Sequence, residues 1–310
     1  MRWQEELASA RKIGPSAVSI GVFDGVHLGH QHLLSTLCAE ARSRGLHSVV
    51  VTFRNHPRLF LNPHHPFPLL TTADERVALL EHQGVEAVLP LTFDAHLARV
   101  SAEEFLRALV EQVRMRLLVA GPDFALGYHR QGTLPVVQAL GQRLDFSVVV
   151  VSPYLLHGRV VSSSAIRQAI LEGQVAEAGR MLGRPFALVG IVRPGAGRGR
   201  RLGFPTANLA VDSSMAIPAN GIYATWAVWG GRRWPSATSI GVRPTFGGGE
   251  RTIETYILDF QGDLYGQRLR LEFVHRLRDE QAFPTVQALV EQMTRDIATV
   301  RALLSTPSPV

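Results

Sequence analysis

The sequence predicts a parallel, doubly wound α/β domain followed by a small antiparallel β-barrel with a C-terminal helix. In the first half, short and fully apolar runs alternate with helix patterns, which is typical of strands buried on both faces of a parallel sheet. In the second half, strand-like runs are separated by Gly, Pro and Asn, and only one long helix pattern follows. At 310 residues the chain is long enough for two cores, and we predict domains 1–184 and 185–310.

The predicted parallel sheet rests on five apolar runs that have the length and aliphatic content of buried strands: 16–23, 47–53, 87–93, 116–121 and 146–151. Helix patterns lie between them, ending near Arg44 and filling about 134–140. Two further helices are expected to begin at capping boxes, in which the N-cap hydroxyl and the N3 carboxylate each satisfy a free backbone N–H group. These boxes are Thr72 with Glu75 and Ser101 with Glu104.

The predicted barrel follows two short helices at about 164–172 and 175–182. Its strand-like runs share short length and turn residues at both ends: 186–192, 221–229, 234–242, 252–260 and 268–274. A terminal helix is predicted at roughly 285–304. Within the run at 252–260, the side chains of Thr252, Glu254 and Tyr256 are expected to share one face, because side chains alternate along a strand.

Composition indicates a globular, cytoplasmic protein. No apolar run is long enough to cross a bilayer, and the N-terminus carries no apolar signal-peptide core, so no membrane partner is expected. The single cysteine, Cys38, excludes an intrachain disulfide. The net charge of +6 raises a nucleic-acid hypothesis, but the chain has one lysine, Lys12, and its arginines are scattered. We therefore expect small anionic molecules rather than nucleic acid as partners.

The segment Gly21–Leu34, GVFDGVHLGHQHLL, has the features of a phosphate site. It lies where the first predicted strand ends and a helix begins, at the sheet edge where α/β folds bind ligands. His27 and His30 are three residues apart and share one face of a helical first turn, while Gly25 and Gly29 allow close approach of the backbone. Solvated histidines at a helix start are the simpler interpretation of an isolated motif, and metal ligation is a weaker alternative.

In this setting the His-x-Gly-His motif resembles that of the nucleotidyltransferase superfamily. The longer string resembles the bacterial bifunctional riboflavin kinase/FMN adenylyltransferase family more closely. Other segments match that family in the same order along nearly the whole chain: 51–61, 69–76, 101–105, 120–132, 161–170, 190–209, 218–224, 239–246, 254–273 and 276–283. The resemblance implies a nucleotidyltransferase fold for the first domain and a riboflavin kinase fold for the second.

For the first domain, the resemblance implies transfer of an adenylyl group from ATP to FMN, with His27 and His30 as catalytic residues. It also implies two sets of binding residues. The nucleotide set is Gly21, Phe23, Asp24, Gly25, Gly29, Ser162, Ser163, Ser164 and Arg167, and the flavin set is His56, Pro57, Asp123, Phe124 and Gly127. The sequence departs from the family pattern at Val22, usually Asn, at Asn55, usually Pro, and at Ala125–Leu126, usually Arg-Phe.

In the second domain, Gly190–Leu209 is a loop rich in glycine and arginine that ends in Pro-Thr-Ala-Asn. By composition it is either an anion-binding nest or a flexible basic linker, and the two interpretations have about equal weight. The Thr206 hydroxyl and the Asn208 carbonyl oxygen are hard ligands of the kind that suit Mg²⁺. Considered by itself, Glu254 is most simply interpreted as a glutamate on the exposed face of a strand, without a catalytic role.

The resemblance implies that this domain phosphorylates riboflavin with ATP and Mg²⁺. It implies that Glu254 is the catalytic base and that Thr206 and Asn208 are the metal ligands. The implied nucleotide and phosphate residues are Gly195, Gly197, Gly203, Phe204, Pro205, Thr206 and Asn208. Departures from the family pattern are Ser239, usually Asn, and Tyr256, frequently His.

Together these features predict an enzyme that converts riboflavin to FMN and then FMN to FAD, with release of pyrophosphate in the second step. One alternative is a riboflavin kinase whose first domain has lost its activity, which the departures at Val22 and Ala125–Leu126 keep open. Another is a non-enzymatic flavin-sensing or RNA-binding protein, prompted by the basic charge. The expected assembly is a monomer or a weak homo-oligomer.

Overall fold

The computed structural model describes residues 2–8, 13–195, 199, 202–243 and 250–305. The chain divides into two compact units, Met1–Ser163 and Ser164–Val310. Within the described residues, the α-helices are α1 Arg2–Ala8, α2 Leu28–Ser43, α3 Pro57–Leu61, α4 Ala73–Glu81, α5 Ala102–Gln112, α6 Leu134–Leu144, α7 Ser163–Leu171, α8 Val175–Leu182 and α9 Val286–Ser305. The helices α8 and α9 belong to the second unit.

The first unit contains a parallel sheet in the order β3-β2-β1-β4-β7. Its strands, with two short hairpins, are β1 Ser16–Ile20, β2 His47–Phe53, β3 Ala87–Leu91, β4 Met115–Ala120, β5 Ala125–Leu126, β6 Gly132–Thr133, β7 Ser147–Val150, β8 Leu155–Leu156 and β9 Arg159–Val160. The strand order reverses between β1 and β4, which makes the carboxyl ends of these two strands the expected ligand site.

Both faces of this sheet are buried, as the apolar strands predict. Along β2, Val49 and Val51 join one hydrophobic cluster with Leu106 of α5, whereas Val50 joins the other cluster with Leu37 of α2. The capping box at Thr72 forms with both of its hydrogen bonds, and the Ser101 hydroxyl accepts a hydrogen bond from the Glu104 N–H at 3.1 Å. The doubly wound α/β prediction is therefore confirmed.

The second unit is a closed antiparallel barrel in the strand order β10-β11-β14-β13-β12-β15. Its strands are β10 Phe186–Arg193, β11 Thr206–Val211, β12 Gly221–Trp229, β13 Arg232–Arg243, β14 Glu250–Ile257 and β15 Arg268–Arg278. The helix α9 packs against this barrel, with Val300 and Leu304 in a cluster that includes Ala224 of β12. The predicted barrel with a C-terminal helix is confirmed.

Several element bounds differ from the sequence prediction. The first strand ends at Ile20 rather than at residue 23, because Phe23 and Gly25 adopt positive φ angles that a strand does not allow. The sequence pattern places the residues of β11 at the end of a loop and predicts no helix at α3, whereas the structure has both elements. Among the residues that the structure describes, no helix combines the length and the apolar character needed to cross a bilayer.

Candidate active sites

The first site is built at the carboxyl end of β1. After Ile20 the chain makes a tight turn in which Phe23, Gly25 and Val26 have φ angles of 54°, 85° and 39°. Left-handed backbone is unfavourable for residues other than glycine and persists where the surrounding structure imposes it. The turn ends at His27, which is the N-cap of α2. The backbone N–H groups in the first turn of this helix, which the helix itself does not satisfy, therefore lie beside the turn.

Asp24 anchors the turn from the inside. The residue is 2% exposed, and its carboxylate accepts hydrogen bonds from the N–H groups of Leu70 (3.0 Å) and Thr71 (3.1 Å) and from the Thr71 hydroxyl (3.2 Å). That hydroxyl also accepts from the N–H of Gly25 at 3.2 Å. The backbone carbonyl of Asp24 accepts from the hydroxyl of Ser163 at 2.8 Å. Hydrogen bonds to a carboxylate are among the strong ones, and they fix the shape of the turn.

The two histidines of the motif lie against each other. Their rings stack with centroids 3.6 Å apart, and the ring of Phe23 meets His30 edge-on at 5.2 Å. Nδ1 of His27 accepts a hydrogen bond from the His30 N–H at 3.3 Å, so the proton of a neutral His27 ring resides on Nε2, which is then a donor. A Cβ at Gly29 would lie 3.1 Å from the His27 ring, which explains the glycine between the histidines.

The Ser-rich segment begins α7. Ser163 is the first residue of this helix and the last residue of the first unit, and its hydroxyl binds the backbone of Asp24 in the histidine turn. Ser164 and Arg167 follow on the first turn of the same helix and fall in the second unit. Ser162 and Ser163 are half-buried, Ser164 is exposed and Arg167 is buried.

The segment after β2 carries the predicted flavin residues His56 and Pro57. His56 is the N-cap of α3 and its Nδ1 accepts from the Arg58 N–H at 3.1 Å, while Pro57 occupies the first turn, where a missing N–H is tolerated. Asn55 makes two hydrogen bonds with the backbone of Phe93, donating to its carbonyl at 2.7 Å and accepting from its N–H at 3.0 Å.

The loop after β4 carries the other predicted flavin residues. Asp123 is exposed, whereas Phe124 is half-buried and packs against the sheet core. The next residues, Ala125–Leu126, form β5 of a small hairpin. Gly127 has a φ of 78°, and a Cβ there would lie 2.5 Å from the backbone nitrogen of Ala102, so no larger residue fits without a shift. Because β4 is the neighbour of β1 and runs parallel to it, this loop lies at the same edge of the sheet as the histidine turn.

The second site is formed by three neighbouring barrel strands. Glu254 of β14 is in register with Asn208 of β11 on one side and with Ser239 of β13 on the other. The Thr206 hydroxyl donates to the Glu254 carboxylate at 3.2 Å. The Asn208 side-chain amide packs directly over Gly195, where a Cβ would overlap it at 2.1 Å. Strand pairing therefore brings the predicted base and the predicted metal ligands together.

A cavity of about 270 Å³ borders this group and lies between the barrel wall and α9. Glu254 and Tyr256 line one part of it, and Arg278 and Asp296 line another. Nη2 of Arg278 contacts a carboxylate oxygen of Asp296 at 2.7 Å, and Gln292 donates to the other oxygen at 2.8 Å. This largely buried ion pair connects β15 to α9. Sequence reasoning did not identify it, because the spacing of two charges far apart in the chain does not indicate contact.

The remaining predicted phosphate residues precede β11. Gly203 has a φ of 87° and is exposed, as is Pro205. The ring of Phe204 meets Tyr256 edge-on with centroids 5.5 Å apart, which connects this segment to the strand of the predicted base. Gly197 lies outside the described residues. No cluster of three or more His, Cys, Asp or Glu side chains suited to a metal occurs in the part of the chain that the structure describes.

Two family models match the chain, FAD synthetase over residues 10–165 and riboflavin kinase over residues 182–304. A Pseudomonas fluorescens protein described as a bifunctional riboflavin kinase/FMN adenylyltransferase is 39% identical over 293 residues, covering 92% of each chain. The chain belongs to the bifunctional riboflavin kinase/FMN adenylyltransferase family. An Escherichia coli K12 protein with the same description is 35% identical over 295 residues and covers 94% of each chain.

A crystal structure described as a macrolide-efflux protein from Streptococcus pneumoniae has the same fold throughout, with a TM-score of 0.87, 34% identity and 97% of each chain covered. For this member of the bifunctional riboflavin kinase/FMN adenylyltransferase family, the FAD synthetase model spans the histidine turn and the riboflavin kinase model spans Thr206 and Glu254. Both family matches predicted from the motifs are confirmed.

Proposed function

We propose that the first site joins ATP and FMN into FAD and pyrophosphate, and that the second transfers the γ-phosphate of ATP to riboflavin. The observation that carries the proposal is the contact of Thr206 with Glu254 at the cavity beside α9. Thr206 and Glu254 line the cavity, and Asn208 lies beside Glu254 in the strand register. A carboxylate next to a cavity can serve as the base for phosphoryl transfer to an alcohol. The stacked histidines at a helix start support the other reaction.

In the kinase reaction, Glu254 accepts the proton of the ribityl 5′-hydroxyl as its oxygen attacks the γ-phosphorus and ADP leaves. Thr206 orients the carboxylate through the hydrogen bond that it donates at 3.2 Å. We assign the ATP phosphates to the segment that precedes β11, with Gly195, Gly203, Phe204 and Pro205, and to Gly197, which lies outside the described residues. Ser239 faces Glu254 across the strand pair, where the family usually has Asn, and its hydroxyl can supply a polar group there.

The donor set fits Mg²⁺ in this site. Thr206 and Asn208 offer hard oxygen atoms, and Mg²⁺ is usually held by one or two protein groups together with phosphates and water. When bound with ATP, the ion neutralises charge on the phosphate oxygens. The Asn208 amide packs against Gly195, so a side chain at position 195 would displace this proposed ligand.

In the adenylyl transfer, an FMN phosphate oxygen attacks the α-phosphorus of ATP and pyrophosphate leaves, so no protein base is needed. His27 and His30 stabilise the charge that develops on the phosphates, together with the free N–H groups of α2. Gly21, Gly25 and Gly29 allow the backbone to approach the nucleotide, and Phe23 and Asp24 hold the turn. We place Ser162, Ser163, Ser164 and Arg167 at the phosphates.

The flavin of FMN is placed on the segments that follow β2 and β4. His56, Pro57, Asp123, Phe124 and Gly127 contribute to it in this proposal. Both segments lie at the carboxyl edge of the sheet, and β2 and β4 flank β1. A flavin between them would bring its phosphate to the histidine turn.

We further propose a domain boundary after residue 184, a cytoplasmic location, small-molecule partners without nucleic acid, and a monomer or weak homo-oligomer. The macrolide-efflux description stays with the Streptococcus pneumoniae protein, because both family models on this chain are those of flavin enzymes. A second candidate is a kinase with an inactive first site. The apolar side chain of Val22, where the family usually has Asn, favours it.

The test is incubation of the purified protein with ATP, Mg²⁺ and either riboflavin or FMN, with chromatographic separation of the flavins. FAD from both substrates, with FMN as an intermediate from riboflavin, is the expected result. FMN from riboflavin without FAD from either substrate would select the second candidate. A reaction in EDTA is the control and should yield no product in either case.

A further inference from the structure

The first unit contains a buried arginine, Arg76, that is not one of the residues proposed for either reaction. Arg76 lies on α4, directly after the capping box, and is 1% exposed. Burial lowers its pKa from the ordinary value, and the nearby carboxylate of Asp24 acts in the opposite direction. A buried guanidinium is unfavourable unless it is compensated, so its contacts are informative.

The contacts of Arg76 are with the segment that follows β2. Its Nη2 donates to the backbone carbonyl of Phe53 and lies 3.5 Å from the carbonyl of Arg54. Both carbonyls come at the end of a strand, where regular pairing stops. Asn55 then binds the backbone of Phe93 with two hydrogen bonds. The short stretch leading to His56 and Pro57 is therefore held from two sides by side chains.

On its other side, Arg76 is electrostatically coupled to the histidine turn. The negative charge of Asp24 raises the pKa of Arg76 against the effect of burial, because guanidinium and carboxylate attract each other. Asp24 in turn holds Leu70 and Thr71 next to the N-terminus of α4. Arg76 thus lies between the turn that carries His27 and the segment that carries His56.

We propose that Arg76 is a positioning residue for adenylyl transfer, which holds the segment carrying His56 and Pro57 at a fixed place relative to the turn of Asp24 and His27. This inference rests on the proposed function of the first site. In this proposal Arg76 does not contact the substrate. It acts through its hydrogen bonds to the backbone carbonyls of Phe53 and Arg54 and through its attraction to the charge of Asp24. A small displacement of a binding segment is sufficient to slow a reaction that depends on orientation.

The experiment compares three variants of the full chain. Arg76→Met keeps the length and removes the donors and the charge, and Arg76→Lys keeps the charge and a donor. Arg107→Met is the matched control, because it makes the same chemical change on an exposed face of α5. Among the described residues, the ion pair of Arg107 is with Glu103. FAD formation from FMN and FMN formation from riboflavin are measured on the same preparations.

For Arg76→Met we expect the KM for FMN to rise about tenfold and kcat/KM of FAD formation to fall roughly a hundredfold, since charge-assisted hydrogen bonds are lost. Arg76→Lys should recover most of this loss. FMN formation in the second unit and both reactions of Arg107→Met should stay within about twofold of the parent, because these changes leave each site's contacts intact. FAD formation by Arg76→Met within about threefold of the parent would overturn the proposal, as would a loss that Arg76→Lys does not reduce.

Hydrogen–deuterium exchange gives a readout that is independent of catalysis. In Arg76→Met, the amides of residues 54–62 should exchange faster, while peptides of the barrel should not change. If the parent protein forms no FAD, the proposed function of the first site is wrong, and the exchange measurement still decides the placement of Arg76. Unchanged exchange at 54–62 would refute it. Faster exchange over the whole first unit would also refute it, because Arg76 would then only contribute to general stability.

Discussion

Glu254→Gln is the sharpest test of the kinase site, because it removes the proton acceptor and little else. The amide oxygen of glutamine can still accept the hydrogen bond that Thr206 donates at 3.2 Å, and the side-chain volume is nearly unchanged. A general base contributes about a hundredfold to ten-thousandfold to a rate. We therefore expect kcat for FMN formation to fall by that factor, which corresponds to about 2.7–5.4 kcal/mol in the activation barrier.

The structure also bounds the side effects of this change. Replacing a charged acceptor by a neutral one weakens a hydrogen bond by about 1 kcal/mol, so the variant should remain folded and its melting temperature should shift by only a few degrees. The KM for riboflavin should change little, because Glu254 acts on the proton in the transition state rather than on the bound flavin. FAD formation from supplied FMN should be unaffected.

The assay is chromatographic detection of FMN formed from riboflavin at saturating ATP and Mg²⁺. Glu291→Gln is the matched control, since Glu291 lies on the exposed face of α9 and accepts a hydrogen bond only from Gln287 at 3.1 Å in the described contacts. The control should retain the parent rate. If Glu254→Gln kept more than about a tenth of the parent kcat, general-base catalysis by Glu254 would be wrong.

Four further substitutions test other parts of the molecule. His27→Ala or His30→Ala should lower FAD formation by about a hundredfold and leave the kinase rate unchanged, as separate product assays would reveal; equal loss of both would contradict the assignment. Asp296→Ala leaves Arg278 buried without its carboxylate and should cost about 3 kcal/mol of unfolding free energy in the barrel, measured by denaturant titration. Gly127→Ala should destabilise the first unit by about 2 kcal/mol, because φ is positive and a Cβ would overlap backbone, and a neutral effect would refute this packing argument.

Features that depend on local sequence were predicted best. The capping box at Thr72 and the start of α5 after Ser101 follow from spacing alone, and both are observed. The end of β1 was misplaced, because the chain leaves the sheet at a turn held by long-range hydrogen bonds to Asp24. Strand β11 was missed since glycine and proline precede it, and its pairing with β14 is decided by barrel closure rather than by propensity.

The candidate residues of the two sites were identified by motif, whereas their supporting residues were not. Thr71, Arg76 and Asn55 act through bonds to backbone groups that are far away in sequence, such as the 38 positions between Asn55 and Phe93. No periodic pattern marks such a contact. The burial of Arg76 does indicate that it supports the site, because arginine is rarely buried, but burial is known only from the structure.

The departures from the family pattern in the first unit differ in what they change. Val22 contributes its backbone carbonyl, which accepts from the Thr52 hydroxyl at 3.1 Å, and any residue can supply that group. Asn55 replaces the conformational restriction of a proline by two side-chain bonds to Phe93. The shape of the site at these positions is therefore maintained by contacts that do not require the usual residue. If these departures lower adenylyl transfer, we expect the cause to be missing side-chain chemistry at position 22 or in the β5 hairpin rather than a changed backbone.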